Sequence, residues 1–253
     1  AMKPGATVIH PSLVTRDSNS KSDAPSNVTA RNVLSVGDVA AGFAQADVVL
    51  EETFRTQTVH QGYLEPHAVT AEVDGRGRMT MWITAQGSFN ARQEVCQALN
   101  IPQSRLKVIV TEVGGGFGGK NDPVPEPICA LLALKAHRPV KLVMSREEEF
   151  IGAKPAHAVT FRLKMGVTRD GRITAVSGSA VFDIGAFGGE GGGGTGDSVA
   201  LYKVPNIHLE HCQVMTNKPP NGAYRAPGHP QAAFAAESML DMLAQKIGMD
   251  PLE

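Results

Sequence analysis

The sequence predicts an α+β fold, in which hairpins and mixed sheets are interspersed with single helices. Two pairs of alternating apolar stretches support it: residues 68–73 and 79–84 flank the turn DGRG, and residues 158–167 and 173–182 flank RDG. A third observation is the segment 230–247, whose apolar residues recur at helical spacing before a glycine. Because the strands occur in adjacent pairs and do not alternate strictly with helices, the pattern favours α+β over a doubly wound sheet.

The first 34 residues are predicted to be a flexible linker or the remainder of a preceding domain, since many of them are Ser, Asn, Asp, Lys or Pro. The domain itself is then expected over residues 35–253. Ser35 is predicted to cap a short helix that reaches residue 46, and residues 47–56 are predicted to be extended.

The elements between the two hairpins follow from capping and proline signals. Ser88 is predicted to cap a helix that ends near Leu99, and the β-branched run 106–110 is predicted to be a strand. Prolines at 123, 125 and 127 disfavour a helix directly after this strand, so the next helix is predicted to begin later; it is apolar and is expected to be buried. The remaining predicted elements are that helix at 128–137, a strand at 140–144 and a short helix at 147–151.

The composition argues against several classes of partner. Lys and Arg number 24 against 25 Asp and Glu, so binding to nucleic acid or to an anionic membrane is not predicted. No apolar run approaches the roughly 20 residues of a membrane-spanning helix, and no basic segment precedes a hydrophobic stretch at the start, so we expect a cytoplasmic protein. The 3 cysteines are widely spaced, which indicates buried thiols and no metal held directly by side chains.

The glycine loop, residues 113–120, has the sequence VGGGFGGK and admits four interpretations. Its GxGxxG spacing matches a dinucleotide loop, and its GxxxxGK spacing matches a phosphate loop, although Asn121 stands where that motif has Ser or Thr. Both require a helix to begin directly at the loop, and the prolines at 123, 125 and 127 argue against one. The glycines also expose backbone amides to a planar or anionic cofactor. Finally, the loop can be a tight chain crossing with Phe117 in the core.

Three motifs in a fixed order distinguish these interpretations: TAQG at 84–87, the glycine loop, and NGAYRAPGHPQ at 221–231. Together they resemble the molybdenum hydroxylases of the xanthine oxidase and aldehyde oxidoreductase family, specifically the first molybdenum-cofactor-binding domain of the large subunit. The resemblance runs from about residue 47 to residue 253. It is extended by matches at 64–66, 202–206 and 236–241.

The resemblance implies a molybdenum–molybdopterin cofactor, with or without a cytosine dinucleotide, whose metal is held by the pterin and by no protein side chain. It also implies that Gln86 hydrogen-bonds an oxo ligand of the metal and that Arg225 lies beside Gln86 around the metal. Both side chains are donors suited to oxygen-rich groups. Asn121 and Pro227 are implied to face the substrate. The residues implied to line the cofactor through the glycine loop are Gly115, Gly116, Phe117 and Gly118.

Departures from the family pattern narrow the predicted substrate. Purine-oxidising members have a glutamate where this chain has Asn121 and an arginine where it has Gly193, and carbon monoxide dehydrogenases have a cysteine where it has Ala226. An aldehyde or an N-heteroaromatic compound is therefore the expected substrate. The glycine-rich segment 185–196 is interpreted as a wall of the substrate site.

Other parts of the catalytic machinery are expected outside this chain. The resemblance implies a general-base glutamate beyond residue 253, so no catalytic residue is predicted here, and [2Fe–2S] clusters and FAD are expected on other domains or subunits. The chain is therefore predicted to be a truncated domain that is inactive alone. Two alternatives stay open: a non-catalytic scaffold or cofactor-handling protein with the same fold, and a nucleotide-binding protein that uses the glycine loop.

Overall fold

The structure is a computed structural model that describes residues 2–11, 26–187, 196, 199 and 201–253. Its internal contacts separate two compact units. The five-stranded unit comprises Ala1–Val59, His157–Asn221 and Ala226–Glu253, and the four-stranded unit comprises His60–Ala156 and Gly222–Arg225. In the described ranges no helix is long and apolar enough to cross a membrane.

The five-stranded unit is a mixed sheet with two helices. Its strand order is β1-β9-β8-β7-β2, in which β8 and β9 are parallel and the other neighbouring pairs are antiparallel. The strands are β1 (Val28–Val36), β2 (Val48–Thr56), β7 (Val159–Val167), β8 (Ile173–Asp183) and β9 (Ile207–Val214), and the helices are α1 (Val39–Ala44) and α5 (His229–Ile247).

The core of this unit lies between the predicted long hairpin, which forms β7 and β8, and α5. Phe161, Leu163 and Met165 alternate along β7 and are buried, and they pack in one cluster with Met239 and Leu243 of α5. Each such side chain stabilises the fold by about 1.5–3 kcal/mol on burial. The period of two in the strand and the helical period in α5 therefore meet in a single core.

The four-stranded unit contains every element that leads into the first two motifs. Its strand order is β5-β4-β3-β6, with β4 and β5 parallel and the other pairs antiparallel. The elements are β3 (Ala68–Val73), β4 (Met79–Ile83), α2 (Ser88–Leu99), a 3-10 turn (Gln103–Arg105), β5 (Leu106–Val110), α3 (Glu126–Ala136), β6 (Val140–Val143) and α4 (Arg146–Gly152). Helix α2 is the crossover that makes β4 and β5 parallel neighbours.

The α+β class is confirmed; the linker prediction is wrong for residues 28–34, and the predicted helix cap at Ser35 is wrong. β1 begins inside the segment predicted as a linker, and it is held by pairing with β9. Ser35 therefore lies in a strand, where its Oγ is 2.7 Å from Nδ1 of His208, and it caps no helix. The α1 cap is Asp38, whose side chain accepts hydrogen bonds from the backbone amides of Ala40 and Ala41.

Two further boundaries differ from the prediction. The N-cap of α2 is Gly87 with no side-chain hydrogen bond, and Ser88 is already helical. α3 begins at Glu126, because Pro127 is tolerated in a first helical turn, where its missing N–H has no intrahelical partner to lose. Of the glycine-rich segment predicted as a substrate wall, residues 188–195, including Gly193, lie outside the described residues.

Candidate functional site

The sheet of the four-stranded unit explains why two of the motifs meet. β4 and β5 are parallel and paired up to Ile83 opposite Val110, so their carboxyl ends lie at the same edge. Gln86 follows β4 and the glycine loop follows β5. Ligands in α/β arrangements commonly bind outside the carboxyl ends of parallel strands. The crossover through α2 therefore brings together two motifs that lie far apart in the chain.

Gln86 is fixed in one orientation by the end of the glycine loop. Its Oε1 accepts hydrogen bonds from the backbone amides of Gly118 at 2.8 Å and of Lys120 at 3.2 Å. Its own backbone amide donates to the carbonyl of Lys120 at 2.9 Å. Because two donors face Oε1, the Nε2 amide must point the other way, and no described residue accepts a hydrogen bond from it. The side chain is exposed, so this edge presents a neutral, oriented donor.

The glycines are required by the geometry of this contact. The amide of Gly119 donates to the carbonyl of Gly116 at 2.8 Å, and the two central residues, Phe117 and Gly118, have φ of 54° and 100°, as in a type I′ turn. A Cβ on Gly116 would lie 2.5 Å from Oε1 of Gln86, and one on Gly118 would lie 2.6 Å from the carbonyl oxygen of Ala223. Gly115 also has a positive φ, of 94°. The turn leaves Phe117 47% exposed.

The third motif reaches the same turn. The backbone amide of Arg225 donates to the carbonyl of Phe117 at 2.9 Å. The neighbouring carbonyl of Ala223 accepts a hydrogen bond from Gln61 Nε2 at 2.7 Å, which holds the segment 222–225 in the four-stranded unit. The Arg225 side chain is exposed and forms no ion pair with any described residue. Its guanidinium is therefore available to an anionic or oxygen-rich group.

The two predicted substrate contacts lie in different units. The amide of Asn121 donates to the carbonyl of Gly118 at 3.3 Å, so this residue directly follows the turn. Pro227 belongs to the five-stranded unit, in the turn before α5 that begins at Ala226 with φ of 56°. The structure therefore brings together Gln86, the glycine loop, Arg225 and Asn121 within one unit.

Glu65 and Lys120 form an ion pair that was not predicted; Glu65 had no assigned role, and Lys120 had one only in the phosphate-loop interpretation. Lys120 is completely buried, and its Nζ lies 2.8 Å from Oε2 of Glu65. Burial opposes ionisation of Glu65, but hydrogen bonds from Lys120 and from the Gly114 amide outweigh it and lower the pKa of this carboxyl. The sequence did contain a signal for the importance of Glu65, because this residue lies in the segment 64–66 that extends the family match.

A second buried cluster lies beside this pair. Glu149 accepts hydrogen bonds from the hydroxyl of Tyr63 at 2.6 Å and from the backbone amide of His67, and its Oε1 is 2.9 Å from His67 Nδ1. All three side chains are buried. Burial and the hydrogen bond to Glu149 raise the pKa of Tyr63, so the phenol remains a donor. The cluster supports the segment that carries Glu65.

This geometry does not match a nucleotide loop. A phosphate loop presents its lysine to the phosphates and opens directly into a helix. Here the Lys120 ammonium is buried against Glu65, and α3 begins only at Glu126. The 3 cysteines are free, buried thiols, as predicted. Among the described residues no group of His, Cys, Asp and Glu is arranged to hold a metal ion.

Comparison with known proteins supplies the context for this site. Residues 20–253 match the family described as the molybdopterin cofactor-binding domain. The nicotinate dehydrogenase large molybdopterin subunit of Eubacterium barkeri is 37% identical over 224 residues, which cover 87% of this chain and 53% of that protein. The xanthine dehydrogenase molybdenum-binding subunit of Escherichia coli is 35% identical, over 90% of this chain and 31% of that protein.

A solved structure shows the same architecture. Quinoline 2-oxidoreductase from Pseudomonas putida 86 superposes with a TM-score of 0.81 at 30% identity, over 89% of this chain and 30% of that chain. The chain thus spans about half or less of the length of these relatives.

Proposed function

Because this chain belongs to the molybdopterin cofactor-binding domain family, we propose that its glycine loop, Gln86 and Arg225 form one wall of a molybdenum–molybdopterin pocket. The parent protein is then an oxidoreductase that hydroxylates an aldehyde or an N-heteroaromatic carbon with water-derived oxygen. The observation that carries this proposal is the oriented Nε2 donor of Gln86, which is held by the glycine loop itself and has no acceptor among the described residues.

The groups that this edge presents fit such a cofactor. Gln86 Nε2, the Arg225 guanidinium and the backbone of a glycine-rich turn are donors, and donors suit oxygen ligands and anionic pterin substituents. Glu65, the acidic side chain that contacts the loop, is paired with Lys120 and the Gly114 amide. When bound, the cofactor supplies the two-electron oxidation chemistry that protein side chains lack.

The residues of this chain then bind and orient. Gln86 donates a hydrogen bond in a fixed direction, because the loop fixes its amide, and a preorganised donor loses little free energy to reorientation. The proposed role of the exposed Phe117 side chain is to cover one side of the pocket, where an apolar ring would exclude water. Arg225 offers a planar set of donors to an oxygen-rich group. No general base is assigned in this chain, so we propose that the base comes from another part of the parent protein and that this chain alone is inactive.

The proposed substrate class rests on Asn121 and on the relatives. An amide at position 121 offers a neutral donor and acceptor, which suits a carbonyl or a ring nitrogen. Three of the similar proteins are named for N-heteroaromatic compounds, namely nicotinate, quinoline and xanthine, and the aldehyde oxidoreductase molybdenum-binding subunit PaoC of Escherichia coli is 31% identical. By resemblance Asn121 and Pro227 are the proposed substrate contacts.

Electrons released from the substrate require further carriers. We propose [2Fe–2S] clusters, and in some arrangements FAD, on other domains or subunits of the parent protein. The names of the relatives support a separate subunit for the molybdenum cofactor, since they are a large molybdopterin subunit and molybdenum-binding subunits. A cytosine dinucleotide form of the cofactor is part of the same proposal.

The proposal is tested by turnover of the full-length protein with its partner subunits, produced in a molybdenum-replete host. We expect oxidation of an N-heteroarene such as nicotinate or quinoline, or of an aromatic aldehyde, with the oxygen of labelled water appearing in the product. Absence of turnover on both classes in a molybdenum-loaded protein would reject the substrate assignment.

Replacing Gln86 tests the residue that carries the proposal. Gln86→Met keeps the length of the side chain but removes the donor and the acceptor, so we expect kcat to fall by about a hundredfold, the scale of losing one preorganised donor. Gln97→Met, on the exposed face of α2, is the control and should change kcat by less than about twofold. A Gln86→Met protein with the kcat of the wild type would contradict the assigned role.

A further inference from the structure

One carboxylate oxygen holds both ends of the glycine loop. Oε2 of Glu65 accepts a hydrogen bond from the backbone amide of Gly114 at 2.7 Å and another from Nζ of Lys120 at 2.8 Å. The backbone amide of Glu65 in turn donates to the carbonyl of Gly114 at 3.2 Å. The first glycine and the last residue of the loop are therefore bound to the same side chain.

The burial of Lys120 makes this contact energetically demanding. An ammonium group that is 0% exposed is stable only when it is paired, because desolvation of an unpaired charge costs several kcal/mol. Glu65 supplies the paired charge, and the Tyr63 ring, with its centroid 5.1 Å from Nζ, adds a cation–π contact. A displaced loop would lose both interactions at once, so the ion pair favours a single loop geometry.

The backbone of Lys120 transmits that geometry to Gln86. The Lys120 amide donates to Gln86 Oε1, and the Lys120 carbonyl accepts from the Gln86 amide. These bonds are part of what fixes the direction of Gln86 Nε2. The side chain of Lys120 therefore anchors, through Glu65, the peptide groups that orient the donor.

We propose that Glu65 and Lys120 are positioning residues of the cofactor pocket: their ion pair closes the glycine loop and thereby holds Gln86 and the Phe117 turn in place. Neither side chain needs to touch the cofactor. The inference rests on the proposed function for its link to a cofactor, whereas the closure of the loop is a property of the protein alone.

The test compares Lys120→Met with Lys154→Met in the full-length protein. Both changes keep an unbranched side chain and remove an ion pair from the same unit, since Lys154 Nζ lies 2.6 Å from Asp122 Oδ2. Methionine leaves no buried charge at position 120, so Lys120→Met is expected to fold. Glu65→Gln is the conservative companion, because its amide oxygen can still accept from both ends of the loop.

Two measurements are made on each variant: amide hydrogen exchange of peptides that cover 113–121, and molybdopterin content with kcat and KM. In Lys120→Met we expect loop exchange to rise by about tenfold and kcat to fall by at least about tenfold, as expected for a misplaced catalytic geometry, with a smaller change in KM. Glu65→Gln should lie between this variant and the wild type, and Lys154→Met should match the wild type in both measurements.

The outcomes separate the two proposals. Unchanged loop exchange in Lys120→Met overturns the closure of the loop, whether or not a cofactor is present. Faster exchange with unchanged cofactor content and kcat overturns the positioning role. If the wild-type protein holds no molybdopterin, the proposed function fails and the positioning role fails with it, while the exchange data still decide whether the ion pair closes the loop.

Discussion

Replacing Gly118 by alanine is expected to displace the turn of the glycine loop and to reduce kcat by about a thousandfold. Gly118 has φ of 100°, and a Cβ there would lie 2.6 Å from the carbonyl oxygen of Ala223, a backbone atom. That carbonyl is held by Gln61, so it has little freedom to move. The backbone strain and the steric overlap each cost about 1–3 kcal/mol. Relief requires the Gly118 amide to leave Gln86 Oε1.

The control for this variant is Gly77→Ala. Gly77 also has a positive φ, of 74°, but an added Cβ there would have nothing within 4 Å. It therefore incurs the backbone strain without the overlap. Thermal unfolding and kcat of the two variants are compared: we expect Gly77→Ala to lower stability modestly with kcat unchanged. Equal kcat values for the two alanine variants would show that the close approach of Gly118 to Ala223 does not affect catalysis.

Replacing Glu149 by alanine is expected to destabilise the four-stranded unit by about 3–5 kcal/mol, the scale of breaking a buried pair. Glu149 is completely buried and accepts hydrogen bonds from Tyr63 and His67. Alanine would leave those buried donors without an acceptor, and each orphaned group retains its own desolvation cost. Unfolding by urea measures the effect. Glu147→Ala, an exposed position on the same helix, should shift the midpoint little.

The same carboxylate predicts how stability depends on pH. Burial alone would raise the pKa of Glu149, but hydrogen bonds from His67 and Tyr63 outweigh it and lower the pKa from 4.5 to about 2. Because the folded pKa is the lower one, the stabilisation is fully present above pH 4.5 and is lost as pH falls towards 2. The shift corresponds to about 3 kcal/mol. Glu149→Ala should therefore flatten the acid limb of the stability curve, and an unchanged acid limb would contradict this origin.

Much of the fold was predictable because its signals are local. The two hairpins and the final helix follow from alternation, turn sequences and helical spacing, and the structure has them as β3–β4, β7–β8 and α5. The pairing of β4 with β5 was not predicted, because a parallel contact across a helix leaves no short-range signal. That pairing is what brings Gln86 to the glycine loop. The motifs therefore named residues that meet, but the sequence alone did not explain why they meet.

The errors have equally specific causes. Ser35 looked like a helix cap, but long-range pairing of β1 with β9 places it in a strand. α3 is apolar on all sides and was expected to be buried, yet Ile128, Leu131 and Leu132 are more than 40% exposed. The ion pair between Glu65 and the buried Lys120 was not predicted: both residues lie in matched segments, but a contact between positions 55 residues apart is visible only in the folded chain.

The presence of a molybdenum–molybdopterin pocket is tested most directly by the molybdenum and molybdopterin content of the purified full-length protein, measured by metal analysis and by fluorescence of the released pterin. The site formed by Gln86, the glycine loop and Arg225 predicts equimolar molybdenum and pterin in the wild type. It also predicts a large loss of both in Gly118→Ala but not in Gly77→Ala. A full-length protein from a molybdenum-replete host that carries neither molybdenum nor pterin would contradict the assignment of this site to a molybdenum–molybdopterin cofactor.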